Sequence, residues 1–134
     1  MKKILFAALA VAGMSAVRAD DLNAAFADLN QARALHGIQP LEWSPDLAAY
    51  AQLWANQMGS GQVPFEHATG QYRPSQGENL YEQQSGHCDL AYDNPFRSAM
   101  HAWLAQAPLY TGKPVADHEP WLHWCKQLDG SYDN

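Results

Sequence analysis

Several things are scarce in this chain of 134 residues, and each shortage narrows what it does. There are two cysteines, Cys88 and Cys125, and neither belongs to a CxxC pair, which argues against metal held through thiols. Basic residues are few: eight Lys and Arg face fourteen Asp and Glu, a formal charge of −6. An acidic chain without a basic patch is a poor match for DNA, RNA or anionic lipid, so no nucleic-acid partner is expected. No Gly-x-Ser-x-Gly elbow is present, which counts against a serine hydrolase of that type. His118-Glu119 with His123 resembles a zinc-protease motif, but the histidines are five apart rather than four and Pro120 interrupts them. There are no repeats and no low-complexity tract, and past the first dozen residues nothing resembles a transmembrane segment.

What is present begins with a leader pattern. Lys2 and Lys3 precede the apolar run Ile4 to Val11, and Val17-Arg18-Ala19 supplies a small-residue cleavage site. The run is too short to cross a bilayer core, which takes about 20 residues. The pattern predicts a signal peptide at 1–19 that is not part of the fold, a mature protein from Asp20, and a secreted, extracellular location. Cleavage removes Lys2, Lys3 and Arg18 but no acid, so eight bases fall to five and the charge goes from −6 to −9. Residues 20–134 are long enough for one domain with a modest core. In an oxidising compartment Cys88 and Cys125 could pair, closing a loop of 37 positions for about 3–4 kcal/mol in the chain-entropy model. The spacing leaves the paired and free states both open. A catalytic thiol at Cys125 beside His123 is the lesser alternative to oxidation.

The mature chain reads as helices with few strands. Leu22, Phe26, Leu29 and Ala32 give helical spacing over 21–36, with Gly37 as its C′ residue. Ile38 to Leu41 forms an extended connector. Ser44-Pro45-Asp46 then offers a cap, a first-turn proline and a first-turn acid to a second helix that Gly59-Ser60-Gly61 stops. Leu47, Ala51, Trp54 and Met58 line one face of it. A polar loop containing His67 leads to a short strand at Glu78 to Glu82. Asn94-Pro95 opens a third helix by the same device, with Phe96, Met100 and Trp103 as its buried stripe and Pro108 at its end. After Leu109 no periodicity stands out. This order predicts a single α+β layered domain. Trp43, Trp54 and Trp103 read as core, whereas Trp121, the late tyrosines and Pro108-Leu109-Tyr110 read as the wall of an apolar groove.

Five blocks, in order, resemble a known family. They are Leu29 to Arg33; Pro40 to Trp43 with Leu47 to Gln52; Phe65-Glu66-His67; Gly77-Glu78-Asn79-Leu80; and the helix Ala99 to Ala105. Together they resemble the CAP superfamily of cysteine-rich secretory, antigen 5 and pathogenesis-related 1 proteins. The resemblance runs from about Leu22 to His123, and Ala107-Pro108-Leu109-Tyr110 gives it a fungal-type flavour. It implies a secreted three-layer α-β-α sandwich with a central cleft, whose two histidines and two glutamates hold a divalent cation such as zinc in some members. Carried over by position, the histidines are His67 and His123 and the first glutamate is Glu78. The second glutamate position is Gln106 here.

Two departures shape the expectations. Gln106 is neutral, so it is a weaker ligand than a carboxylate, or it donates a hydrogen bond to Glu78 instead. A zinc ion held through His67, Glu78 and His123 is therefore expected to bind weakly, and no cofactor is required. After His123 the family continues through further central strands, whereas Cys125 to Asn134 is short and polar. That predicts a C-terminally incomplete domain with the last strands missing, from a truncated gene model or splice variant rather than from divergence, and marginal stability. The resemblance implies a non-enzymatic binding module for a sterol, fatty acid or cell-wall or cell-surface ligand, in defence or host interaction. The alternatives are a weak metal-dependent hydrolase with Glu78 as base, and a non-functional product.

Overall fold

In the computed structural model, the described residues are 6–7, 16–83, 94–111 and 118–128. Their elements are β1 (Phe6–Ala7), α1 (Ala16–Leu35), α2 (Pro45–Gly59), β2 (Asn79–Leu80), α3 (Pro95–Leu104) and α4 (Leu122–Leu128). Short 3-10 turns occupy Gly70–Tyr72 and Ala107–Leu109. The described part is rich in helix and poor in strand, which is compatible with part of an α+β domain. The strand expected over 78–82 is present but only two residues long.

The main core forms where α1 packs on α3, with α4 against both. Ala25 and Leu29 of α1, Leu41 of the connector, and Ala99, Met100 and Trp103 of α3 are buried together, with Phe26, Tyr81, Phe96 and Leu104 around them. The centre of the α1 face is displaced from the apolar reading. Residues 21, 25, 29 and 33 are the buried row, while Leu22, Phe26 and Ala32 flank it half-buried. Two charged residues thus sit at the ends of the buried row, and each has a task. Arg33 donates from Nε to the Gln39 carbonyl at 2.8 Å, although burial still lowers its pKa. Asp21 reaches across to the start of α3, where its carboxylate accepts from the Phe96 and Arg97 backbone N–H groups at 2.7 and 3.2 Å.

That last contact corrects the expectation at Asn94. Asn94 has a left-handed backbone (φ 51°) and makes no side-chain cap, so the orphan first-turn donors of α3 are met by a carboxylate from α1. The other helix ends follow their local signals. Ser44 Oγ accepts from Leu47 N–H at 3.5 Å, with Pro45 at the first helical position of α2. At the end of α1, Gly37 N–H donates to Ala34 O and Ile38 N–H to Arg33 O, both at 3.0 Å, with Gly37 at φ +67°. These are the two bonds of a Schellman motif, and the positive φ suits glycine. Asn30 then clasps both backbone groups of Leu41, accepting its N–H at 2.8 Å and donating to its carbonyl at 3.2 Å.

Further differences from the sequence reading concern aromatics and the chain ends. Trp54 and Trp103 are buried, but Trp43 is 42% exposed, its ring edge-on to Phe26 at 6.1 Å. Trp121, expected in a groove wall, is itself buried, with the half-exposed Tyr110 stacked edge-on against it. The helix α4 follows Pro120 in a stretch where no periodicity stands out, because seven residues hold barely two turns. At the other end, Phe6–Ala7 lie within the stretch expected to be cleaved, yet in the full chain they pair in parallel with Asn79–Leu80.

Candidate functional site

The loop after α2 is fixed before it delivers its histidine. Trp54 donates from Nε1 to the Glu66 carbonyl at 2.8 Å, and its ring lies 5.3 Å from Tyr72. That anchors the backbone one residue before His67. Opposite it, β2 begins immediately after Glu78, whose side chain is 1% exposed. Glu78 Oε1 lies 2.7 Å from His67 Nδ1 and accepts the Ala68 backbone N–H at 3.0 Å, with Arg73 Nη1 at 3.9 Å. A buried carboxylate is costly unless it is hydrogen-bonded and faced by positive groups. Here an N–H, an imidazole and a guanidinium converge on one oxygen.

The second histidine is held differently. Gln106 lies in the turn that leaves α3, facing the first turn of α4. Its Oε1 accepts the backbone N–H groups of His123 and Trp124 at 3.1 and 3.3 Å, and its Nε2 lies 2.9 Å from His123 Nδ1. The first-turn donors of a helix have no intrahelical partner, so a carbonyl oxygen is drawn to them. This corrects the expectation that Gln106 donates to Glu78: its amide serves α4 and His123 instead.

Buried Asn79, quoted in the motif but given no task there, joins the halves: its Nδ2 donates to the His123 carbonyl at 3.1 Å. Trp103 lies between them, donating from Nε1 to the Leu80 carbonyl at 3.2 Å while its ring stacks on His123 at 6.4 Å. The fold thus brings Glu78 to His67 and Gln106 to His123. Among the described residues no three His, Cys, Asp or Glu side chains gather as a metal-holding group. His118, in a turn at φ +66°, precedes α4 and shares no helical face with His123. Cys125 is buried; Cys88 lies outside the described residues, and with it the proposed pairing. Among the described residues no helix is long and apolar enough to cross a membrane.

Residues 26–133 match the family described as CAP: Cysteine-rich secretory protein family. The chain belongs to that family. Among its relatives are "Pathogenesis-related protein 1" of Arabidopsis thaliana, 38% identical over 78 residues (58% of this chain and 45% of that protein), and "Pathogenesis-related protein 1A" of Nicotiana tabacum, 45% identical over 81 residues (60% of this chain and 42% of that protein). The chain therefore spans less than half the length of these two relatives. No solved structure matches it.

Proposed function

We propose that this chain is a secreted binding module of the CAP type, acting in defence or host interaction rather than by catalysis, with His67, Glu78, Gln106 and His123 as its site. The observation that carries the reading is the His67–Glu78 contact at 2.7 Å: two residues eleven positions apart meet in a chain that matches the family over 26–133. The pathogenesis-related names of the relatives support the defence setting. In this reading β2 belongs to the central layer of a three-layer α-β-α sandwich, and residues 20–134 form one domain after cleavage of 1–19. The fungal-type affinity rests on Ala107 to Tyr110 alone. The ligand is a sterol, a fatty acid or a cell-wall or cell-surface group, as membership of the family suggests. No cofactor is needed, and any zinc taken by His67, Glu78 and His123 is held weakly.

The test is titration of a fluorescent sterol and of a fatty acid into protein recovered from culture medium. Saturable binding that survives a chelator is expected, with an N-terminus at Asp20. Absence of binding to both ligands, or ester hydrolysis that needs zinc and is lost in Glu78→Gln, would overturn the reading.

A further inference from the structure

We infer that Gln106 is a positioning residue that holds His123 as a neutral imidazole with its proton on Nε2, so that this histidine is a hydrogen-bond donor where a metal ligand needs a lone pair. The argument is one of elimination by chemistry. Backbone N–H groups only donate, so the Gln106 atom facing those of His123 and Trp124 at 3.1 and 3.3 Å must be the oxygen. That orients the amide uniquely and leaves its NH2 facing His123 Nδ1 at 2.9 Å. An NH2 group also only donates, so Nδ1 must accept and carry no proton. An imidazole with a bare Nδ1 carries its hydrogen on Nε2. Both ring nitrogens are then committed, one to the amide and one to a proton.

The partner of the other histidine imposes the reverse. Glu78 Oε1 accepts, so His67 presents Nδ1–H to it at 2.7 Å. A carboxylate or carbonyl behind one ring nitrogen is the usual arrangement that frees the other to ligate a metal. His67 has that arrangement and His123 has its opposite. The residues as placed do not fit a divalent cation held by both histidines, and the reason is a single amide. The inference rests on the functional reading only in taking His123 as a site residue.

The experiment is a long-range proton–nitrogen correlation spectrum of the nitrogen-15-labelled, unliganded protein, with the His123 signals assigned by loss in His123→Gln. Wild type is expected to show a bare Nδ1 and a protonated Nε2. In Gln106→Glu one carboxylate oxygen still accepts from α4 while the other accepts from the ring, so the two nitrogen signals should exchange positions. Gln106→Met, which neither donates nor accepts in that way, should leave a mixed pattern, and it decides the matter if Gln106→Glu does not fold. A wild-type His123 with its proton on Nδ1, or a folded Gln106→Glu with an unchanged pattern, overturns the inference. Because no ligand is added, failure of the sterol titration leaves this result untouched.

Discussion

The two histidines of the site are held by opposite means. His67 sits on a loop, its side chain 47% exposed, against a buried carboxylate. His123 sits on a short helix, half-buried, stacked on Trp103 and fixed by an amide. In the first pair the buried charge needs the histidine and the surrounding donors. In the second pair the glutamine has a structural task of its own, meeting the open donors of α4, and the histidine is oriented as a result. Position in the family pattern thus says where a side chain sits, but the partner's chemistry decides which ring nitrogen is available.

The comparison breaks most visibly at Glu78. Glu78→Ala strands the Ala68 N–H and removes the partner of His67 and Arg73, and should cost about 2–3 kcal/mol in urea unfolding. Gln106→Leu removes the acceptor of two helix N–H groups and the donor to His123; a loss of about 1–2 kcal/mol is expected, with α4 frayed in hydrogen exchange. His67→Ala should cost less, about 0.5–1 kcal/mol, since the Ala68 N–H and Arg73 still face the carboxylate. Equal losses for Glu78→Ala and His67→Ala would show that the pair, rather than the carboxylate's whole set of donors, carries the stability.

The smallest effect lies away from the site, on the surface where α1 meets α3. Asp28 Oδ2 accepts from Arg97 Nε at 2.9 Å and lies 3.0 Å from His101 Nε2. The Arg97 hydrogen bond holds its pKa below the usual carboxylate range. A depressed folded pKa means stabilisation that is present above the unfolded value of about 3.9 and lost as pH falls through the folded one. Asp28→Asn should therefore be slightly less stable than wild type near neutrality, with the difference vanishing in acid. A difference that grows on acidification would contradict the assignment.

Much of the frame was legible in the residues because its signals are local. Ser44-Pro45, Gly37 and the Phe96, Met100 and Trp103 stripe specify their helices within a few positions, and the structure has α2 and α3 where they indicate. The Asp21 cap on α3 was not legible, since it joins positions 75 apart and an acid on an amphipathic helix reads as solvated. Nor was Arg33 at the end of the buried row of α1, which depends on the bend of the connector bringing Gln39 O to its Nε. At the site, the family pattern indicated His67 with Glu78. It did not indicate that Gln106 turns toward α4, because that helix is too short to announce itself, with only Pro120 as a cue to its start.

The central claim is that Gln106, not the overall placement of the histidines, sets the metal competence of the site. Calorimetric titration of zinc into wild type and Gln106→Glu tests it most directly. A carboxylate at 106 restores a charged partner and leaves His123 Nε2 a lone pair, so zinc binding should tighten at least about tenfold, equivalent to about 1.4 kcal/mol, and His67→Ala in that background should abolish the gain. Equal zinc affinity in wild type and a folded Gln106→Glu would contradict the account.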